Sequence, residues 1–389
     1  MPNVTTKFNQ FSKSNCNKAL KNIKGELVCN TVSLCHHCHQ HIPAYNYHVN
    51  NQYWMSKSCA LHGTSNHMID RDYSFISKLK YANNDLFPMV LTEVTDRCNI
   101  DCPHCYHIPD NKTADVGTEQ LICRIKEWRS IFPELSVCLA GAEPTLHKDL
   151  VGLIGRMSKE VSPRMILILT NGIRFSDKVL MSDCQAAGLH IVTMGLNHPS
   201  YINNPTIRKK QITAIENGLS LGLFENGYVG YTMSSISELE DILEETTTAG
   251  WNPGMFRIRY GSDIGRYPDQ ERMYVSDIVA LTKKWCEKNN KSFEIIDDWD
   301  NNIYHVMVSI DNQKYRLIQW CDETDIDMEE LRSGPFCDFV PDGITNFLHQ
   351  VIRRDVLKNQ KIALPDAPPI RYQPMGVNDP SPLDFKKLY

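Results

Sequence analysis

Between Met89 and Tyr260 short apolar runs alternate with amphipathic stretches, and this alternation restricts the fold more than any other feature of the 389-residue chain. Apolar runs separated by helix-length segments do not pair as hairpins. They pair as parallel strands, which need long crossover connections, usually helical. The pattern predicts six strands, at Met89–Val94, Leu135–Ala140, Met165–Thr170, Ile191–Leu196, Tyr228–Met233 and Phe256–Tyr260. Helices fall between them, for example Lys209–Leu221 and Glu238–Ala249. The class is therefore α/β.

In parallel α/β folds the chemistry sits at the C-terminal ends of the strands, and the motifs of this chain obey that rule. Cys98, Cys102 and Cys105 follow the first strand, and Gly141-Ala142-Glu143-Pro144-Thr145 follows the second. Thr170-Asn171-Gly172 follows the third and Leu196-Asn197-His198 the fourth. Three thiolates so close together can cap three irons of one iron–sulfur cluster. The fourth iron then takes a distant ligand or a small molecule. The plainer alternatives are a zinc knuckle and three unrelated core thiols. Glu143 has two readings, a ligand contact or the cap of a helix N-terminus.

The spacing C-x3-C-x2-C after an apolar strand resembles the signature of the radical S-adenosylmethionine (SAM) superfamily, and Gly141-Ala142-Glu143-Pro144 resembles its GGEP element with Ala at the second position. The resemblance implies a partial (β/α)6 TIM-type barrel, with Cys98, Cys102 and Cys105 ligating one [4Fe-4S] cluster. It implies SAM on the open iron, cleaved by one electron to a 5′-deoxyadenosyl radical. It also implies that Gly141, Ala142 and Glu143 approach the methionine end and that His104 or Tyr106 touches adenine. Asn171 and Asn197 would meet the sugar hydroxyls or the carboxylate, as amides both donate and accept. Many relatives carry Ser-Leu-Asp at the fourth strand, where this chain has Gly195-Leu196-Asn197. Arg257 and Arg259 share one strand face. That face either meets the SAM carboxylate or an acidic substrate, or points outward to helix or solvent carboxylates.

Upstream, Cys35-His-His-Cys38 and Cys59-Ala-Leu-His62 are two half-sites of a zinc ribbon. A Cys3His set closes a tetrahedron around Zn2+ and leaves no open position, which marks a structural metal. Between them, residues 42–54 read as two aromatic strands around an Asn50-Asn51 turn. The stretch from Thr31 to Gly63 resembles the N-terminal module of tetraether-lipid synthases and related archaeal radical SAM methylases. Cys16 and Cys29 fall outside the zinc pattern and read as buried thiols, an extra cluster being the alternative.

After Ser292 the barrel pattern gives way to a β-hairpin over His305–Trp320, a helix around Ile344 to Ile352 and a Pro-rich tail from Pro365 to Pro382. Cys321 and Cys337 are read as buried thiols, with ligation or hydrogen-atom donation as the sharper alternatives. The expected organisation is a zinc-ribbon module over residues 1–80, a radical SAM barrel over 84–291 and an α+β extension over 292–389. A net charge of −5 gives nucleic acid and anionic membranes no general purchase. No signal peptide is visible and no apolar run approaches a membrane span. Fourteen cysteines then point to reduced, metal-binding thiols in the cytoplasm.

The functional expectation is a radical SAM enzyme acting on an unidentified organic substrate by methylation or C–C bond formation, fed by a low-potential donor such as flavodoxin or ferredoxin. Aminocarboxypropyl transfer, nucleoside or RNA modification, and a non-catalytic metal-binding regulator are the alternatives.

Overall fold

The computed structural model describes residues 10, 12–35, 41–79, 89–102, 105, 109–199, 203–233, 235–260, 273–296, 305–319 and 370–373. Two sheets organise them, one of four strands and one of ten.

The first sheet runs β1 (Glu26–Leu34), β2 (His41–Val49), β3 (Gln52–Cys59), β4 (Gly63–Asp70), each antiparallel to the next. The expected hairpin is its centre. Asn50 and Asn51 both adopt positive φ, 51° and 60°, which a two-residue turn between twisted strands requires and Asn tolerates. A nine-residue helix α1 (Lys13–Lys21), capped by the Ser12 side chain, packs on this sheet. The buried Asn15 pins it there, donating to the Ser58 carbonyl at 2.7 Å.

In the second sheet six parallel strands stand side by side in chain order: β5 (Met89–Thr95), β6 (Ser136–Gly141), β7 (Ile166–Thr170), β8 (Ile191–Asn197), β9 (Tyr228–Met233) and β10 (Met255–Tyr260). The crossovers carry α3 (Thr118–Ile131), α4 (Leu150–Arg156), α5 (Lys178–Ala187), α6 (Pro205–Ser220) and α7 (Ile236–Thr248). A short helix, α2 (Tyr73–Ile76), precedes them and α8 (Val275–Lys288) follows. Alternate strand residues such as Val90, Val137, Ile168, Val192, Val229 and Ile258 are fully buried and form one core with the helices. The other face carries mixed and polar residues.

Residues beyond 292 complete this sheet. The hairpin of β12 (His305–Ile310) and β13 (Gln313–Gln319) turns at Asp311 and Asn312, both at positive φ. Its second strand lies parallel against β10, and β11 (Phe293–Ile295) pairs with β12. At the opposite edge β14 (Ile370–Gln373) pairs antiparallel with β5. The expected helix around Ile344, Cys321, Cys337 and most of the Pro-rich tail lie outside the described residues. Among the described residues no helix is long and apolar enough to cross a membrane.

Candidate radical SAM and zinc sites

The loop after β5 is tied to the turn after β6 first of all by backbone. Gly141 takes φ +114°, and a Cβ there would lie 2.5 Å from the Thr95 carbonyl oxygen. Only glycine lets the two strand ends approach this closely. Ala142 N–H then donates to that same oxygen at 3.1 Å, and Glu143 N–H to the Arg97 carbonyl at 3.0 Å. Ala142 does not take a positive φ, so its side chain costs the turn nothing.

Arg97 braces the loop from its other side. It donates to Asp115 at 2.6 Å and to the Leu146 carbonyl at 2.6 Å. The amide of Cys98 is held by Asn111 at 2.9 Å, and Cys105 N–H closes a turn on the Cys102 carbonyl at 3.2 Å.

Glu143 is fully buried. Its carboxylate accepts from the Thr145 amide and hydroxyl, from the Thr170 hydroxyl at 2.6 Å and from the Asn171 amide at 2.7 Å. Burial pushes its pKa up, and these four donors pull it back. The side chain therefore caps the short 3-10 turn Pro144–Leu146, as the plainer reading expected, and also fastens the end of β6 to the end of β7.

The third and fourth strand ends bring amides to the cysteines. Asn171 Nδ2 donates to Asn99 at 2.7 Å and lies 3.9 Å from Cys98 Sγ. Asn197 Nδ2 donates to Cys102 Sγ at 3.5 Å. Arg208 holds the Asn197 carbonyl at 2.9 Å and is itself paired with Glu245. Burial, then the neighbouring Cys105 and Cys98, push the Cys102 thiol up to about 12. Cys98 is raised chiefly by burial as well. Crowded, half-buried thiols of this kind fit a cationic centre, which favours their thiolate forms. His104 and Tyr106 lie outside the described residues.

Arg257 and Arg259 lie on the sheet face opposite the helix-packed core. Arg257 donates to the Tyr228 hydroxyl at 2.9 Å and Arg259 to Thr232 at 2.7 Å.

In the first sheet Cys35, Cys59 and His62 place their ligand atoms within 4.8 Å of one another. His62 Nδ1 stands 3.4 Å from Cys35 Sγ and 3.3 Å from Cys59 Sγ. Burial opposes ionisation of Cys59, yet the amides of Leu61 and His62 and the side chains of His62 and Cys35 bring it down to about 7. A borderline-soft ion suits this donor set. Cys38, the expected fourth ligand, lies outside the described residues. Neither Cys16 nor Cys29 joins such a group among the described residues.

Residues 92–246 match the radical SAM superfamily, and residues 27–71 match the HMPTM N-terminal zinc ribbon domain. The chain carries a radical SAM domain. With it comes the implication of a [4Fe-4S] cluster and SAM, and the ribbon adds structural zinc.

Similar proteins include the 7,8-dihydro-6-hydroxymethylpterin dimethyltransferase of Methanocaldococcus jannaschii, 26% identical over 205 residues, covering 44% of this chain and 40% of that protein. The GTP 3',8-cyclase of Peptoclostridium acidaminophilum is 30% identical over 141 residues, 33% of this chain and 42% of that protein. The chain thus spans less than half the length of these relatives. Among solved structures, Streptococcus suis SuiB bound to S-adenosylmethionine gives a TM-score of 0.41 at 12% identity, covering 69% of this chain and 57% of that one.

The brace at Arg97–Asp115 and the Arg208–Glu245 pair behind Asn197 escaped sequence reasoning. Each joins residues far apart in the chain, and no local pattern marks them.

Proposed function

We propose that this chain is a radical SAM enzyme in which Cys98, Cys102 and Cys105 ligate one [4Fe-4S] cluster and SAM occupies the open iron. The observation that carries the reading is the meeting of the thiols after β5 with amides from the ends of β7 and β8, Asn197 on Cys102 above all. When bound, the cluster and SAM supply a 5′-deoxyadenosyl radical that abstracts hydrogen from an organic substrate.

The chain's own residues position that chemistry. Gly141 and Ala142 offer backbone to the methionine end, and Glu143 holds their turn. Asn171 and Asn197 orient the nucleoside and the cluster ligands, His104 or Tyr106 stacks on adenine, and Arg257 meets a carboxylate or an acidic substrate. Residues 1–80 form the zinc-ribbon module, with Cys35, Cys38, Cys59 and His62 around Zn2+. Residues 84–291 form a partial barrel from the six parallel strands, and 292–389 extend it. The compartment is the cytoplasm, with flavodoxin or ferredoxin as donor.

Methylation or C–C bond formation is the favoured outcome, supported by similarity to a dimethyltransferase and by the HMPTM ribbon. Similarity to GTP 3',8-cyclases supports a second reading, in which the substrate is a nucleotide.

The test is anaerobic reconstitution with dithionite and SAM, quantifying iron, zinc and 5′-deoxyadenosine together. About four irons and about one zinc per chain, with 5′-deoxyadenosine released, are expected. Cys102→Ala should abolish release while leaving the circular dichroism spectrum unchanged. Undiminished cleavage in that variant would overturn the ligand assignment.

A further inference from the structure

One register row crosses four strands of the large sheet. Gly195 of β8 pairs with Gly230 of β9, Gly230 with Arg257 of β10, and Arg257 with Arg316 of β13. The next row, toward the strands' C-terminal ends, reads Asn197, Thr232, Arg259, Ile318.

The intervening residues face the helices, for Tyr231 donates to Glu245 of α7 at 2.8 Å and Tyr315 to Thr246 of the same helix at 3.2 Å. Side chains alternate along a strand, so both rows point to the opposite face. Asn197 on that face donates to Cys102 Sγ, which puts the rows on the side of the cysteine loop.

The Gly195 end of the first row is open, since a Cβ there would meet nothing within 4 Å, whereas the Tyr228 ring packs over Gly230, 3.2 Å from where a Cβ would stand. The arginine half is cationic. Arg257 lies over the Tyr228 ring, 5.2 Å from its centroid, and donates one N–H to the hydroxyl at 2.9 Å. Its Nε is buried and has no hydrogen-bond partner among the described residues. Burial depresses its pKa, the Tyr228 hydroxyl opposing and the nearby Arg259 and Arg316 charges adding to the fall. A buried guanidinium that keeps one N–H unpartnered beside two like charges is costly unless an anion joins it.

We propose that Arg257, Arg316 and Arg259 bind a phosphate group of the substrate, with Gly195 leaving the floor on which the rest of that molecule lies toward the cysteine loop. The assignment rests on the radical SAM reading for the fate of the substrate, though the anion site can be tested alone. Phosphate is favoured over carboxylate by geometry. Neighbouring strands lie about 4.8 Å apart and alternate residues on one strand about 7 Å apart. Three guanidinium groups spread over that area match three phosphate oxygens better than the two oxygens of a carboxylate. Arg257, Arg259 and Arg316 also lie beyond the 92–246 span that matches the superfamily, where features particular to one substrate are expected.

The experiment is calorimetric titration of the reconstituted full chain with inorganic phosphate, with acetate in parallel, and separate titration with SAM followed by the electron paramagnetic resonance of the reduced cluster. Saturable phosphate binding is expected, weakened about tenfold or more in Arg257→Gln and less in Arg257→Lys. Arg316→Gln gives an independent readout should Arg257→Gln fail to fold. Absence of phosphate binding in the unaltered protein, or equal affinity in every variant, would overturn the proposal. So would acetate binding as tightly as phosphate, or SAM displacing phosphate competitively, which would give the row to the cofactor carboxylate. A SAM effect on the cluster without phosphate uptake removes the anion site alone. Phosphate uptake without a SAM effect supports the site and counts against the radical reading.

Discussion

Gly141 shows how one residue couples two strand ends. Its φ of +114° and the 2.5 Å approach of a hypothetical Cβ to the Thr95 oxygen leave a side chain no place without moving the start of the cysteine loop. Gly141→Ala is therefore expected to cost about 1–3 kcal/mol and to lower the iron bound on reconstitution. Urea denaturation beside an iron assay checks both, and an unchanged midpoint would mean the two strand ends are not coupled there. Ala142, one residue later, replaces a glycine of the resembled motif without strain because its φ is not positive. Cys98, Cys102, Cys105 and this glycine turn were legible because their spacing is local. The brace formed by Glu143 was not, since its partners Thr170 and Asn171 lie 27 and 28 residues away.

Among the elements, the six parallel strands were readable almost to the residue. β9, for instance, spans Tyr228–Met233 as expected. Alternate burial against helices on one face writes a strong apolar period into each strand. The first sheet was read only in its central hairpin. β4 is mostly polar, and in β1 the apolar Leu27 and Val28 are exposed, so pairing rather than composition identifies these flanking strands. The candidate metal ligands occupy the ends of these strands: Cys35 follows β1, and Cys59 and His62 bracket the β3–β4 turn. Cys59→Ser should therefore lose zinc and leave iron binding by the distant cysteine loop intact, as measured by simultaneous metal analysis. Equal loss of both metals would show that the two sites are coupled. The lost metal should also loosen the four-stranded sheet, because a structural zinc contributes directly to folding.

For the molecule as a whole, the junction between the two sheets is the place where long-range structure governs pH response. Asp70, at the end of β4, is fully buried and accepts the Ser276 amide at 3.3 Å in the first turn of α8. Burial pushes its carboxyl up to about 6, while Ser276 and the Asp72 amide pull it down and the Asp277 charge adds slightly to the rise. Arg71 beside it pairs with Asp277 at 3.6 Å and lies over the Tyr274 ring. A folded pKa above the unfolded 3.8 means that the native state holds the proton longer. The stabilisation is thus complete below about pH 4 and is lost as pH rises through 6, on the order of 3 kcal/mol in all. Stability curves from about pH 3.5 to about pH 7, spanning the unfolded and folded values, should show this fall in the unaltered chain and a smaller one in Asp70→Asn. Identical pH dependence in the two would remove Asp70 from the junction's titration.

The sequence by itself determined the α/β class, the strand positions and the placing of cysteines, glycine turn and amides at successive strand ends, because periodicity and motif spacing are local properties. Only the tertiary structure decided that β13 joins β10 in parallel and β14 joins β5, that Asn197 reaches Cys102, and that Arg316 falls beside Arg257 on the face of the cysteine loop. Those depend on register between segments far apart in the chain, where the free energy lies in closing the sheet and burying its helix-facing side rather than in any one segment.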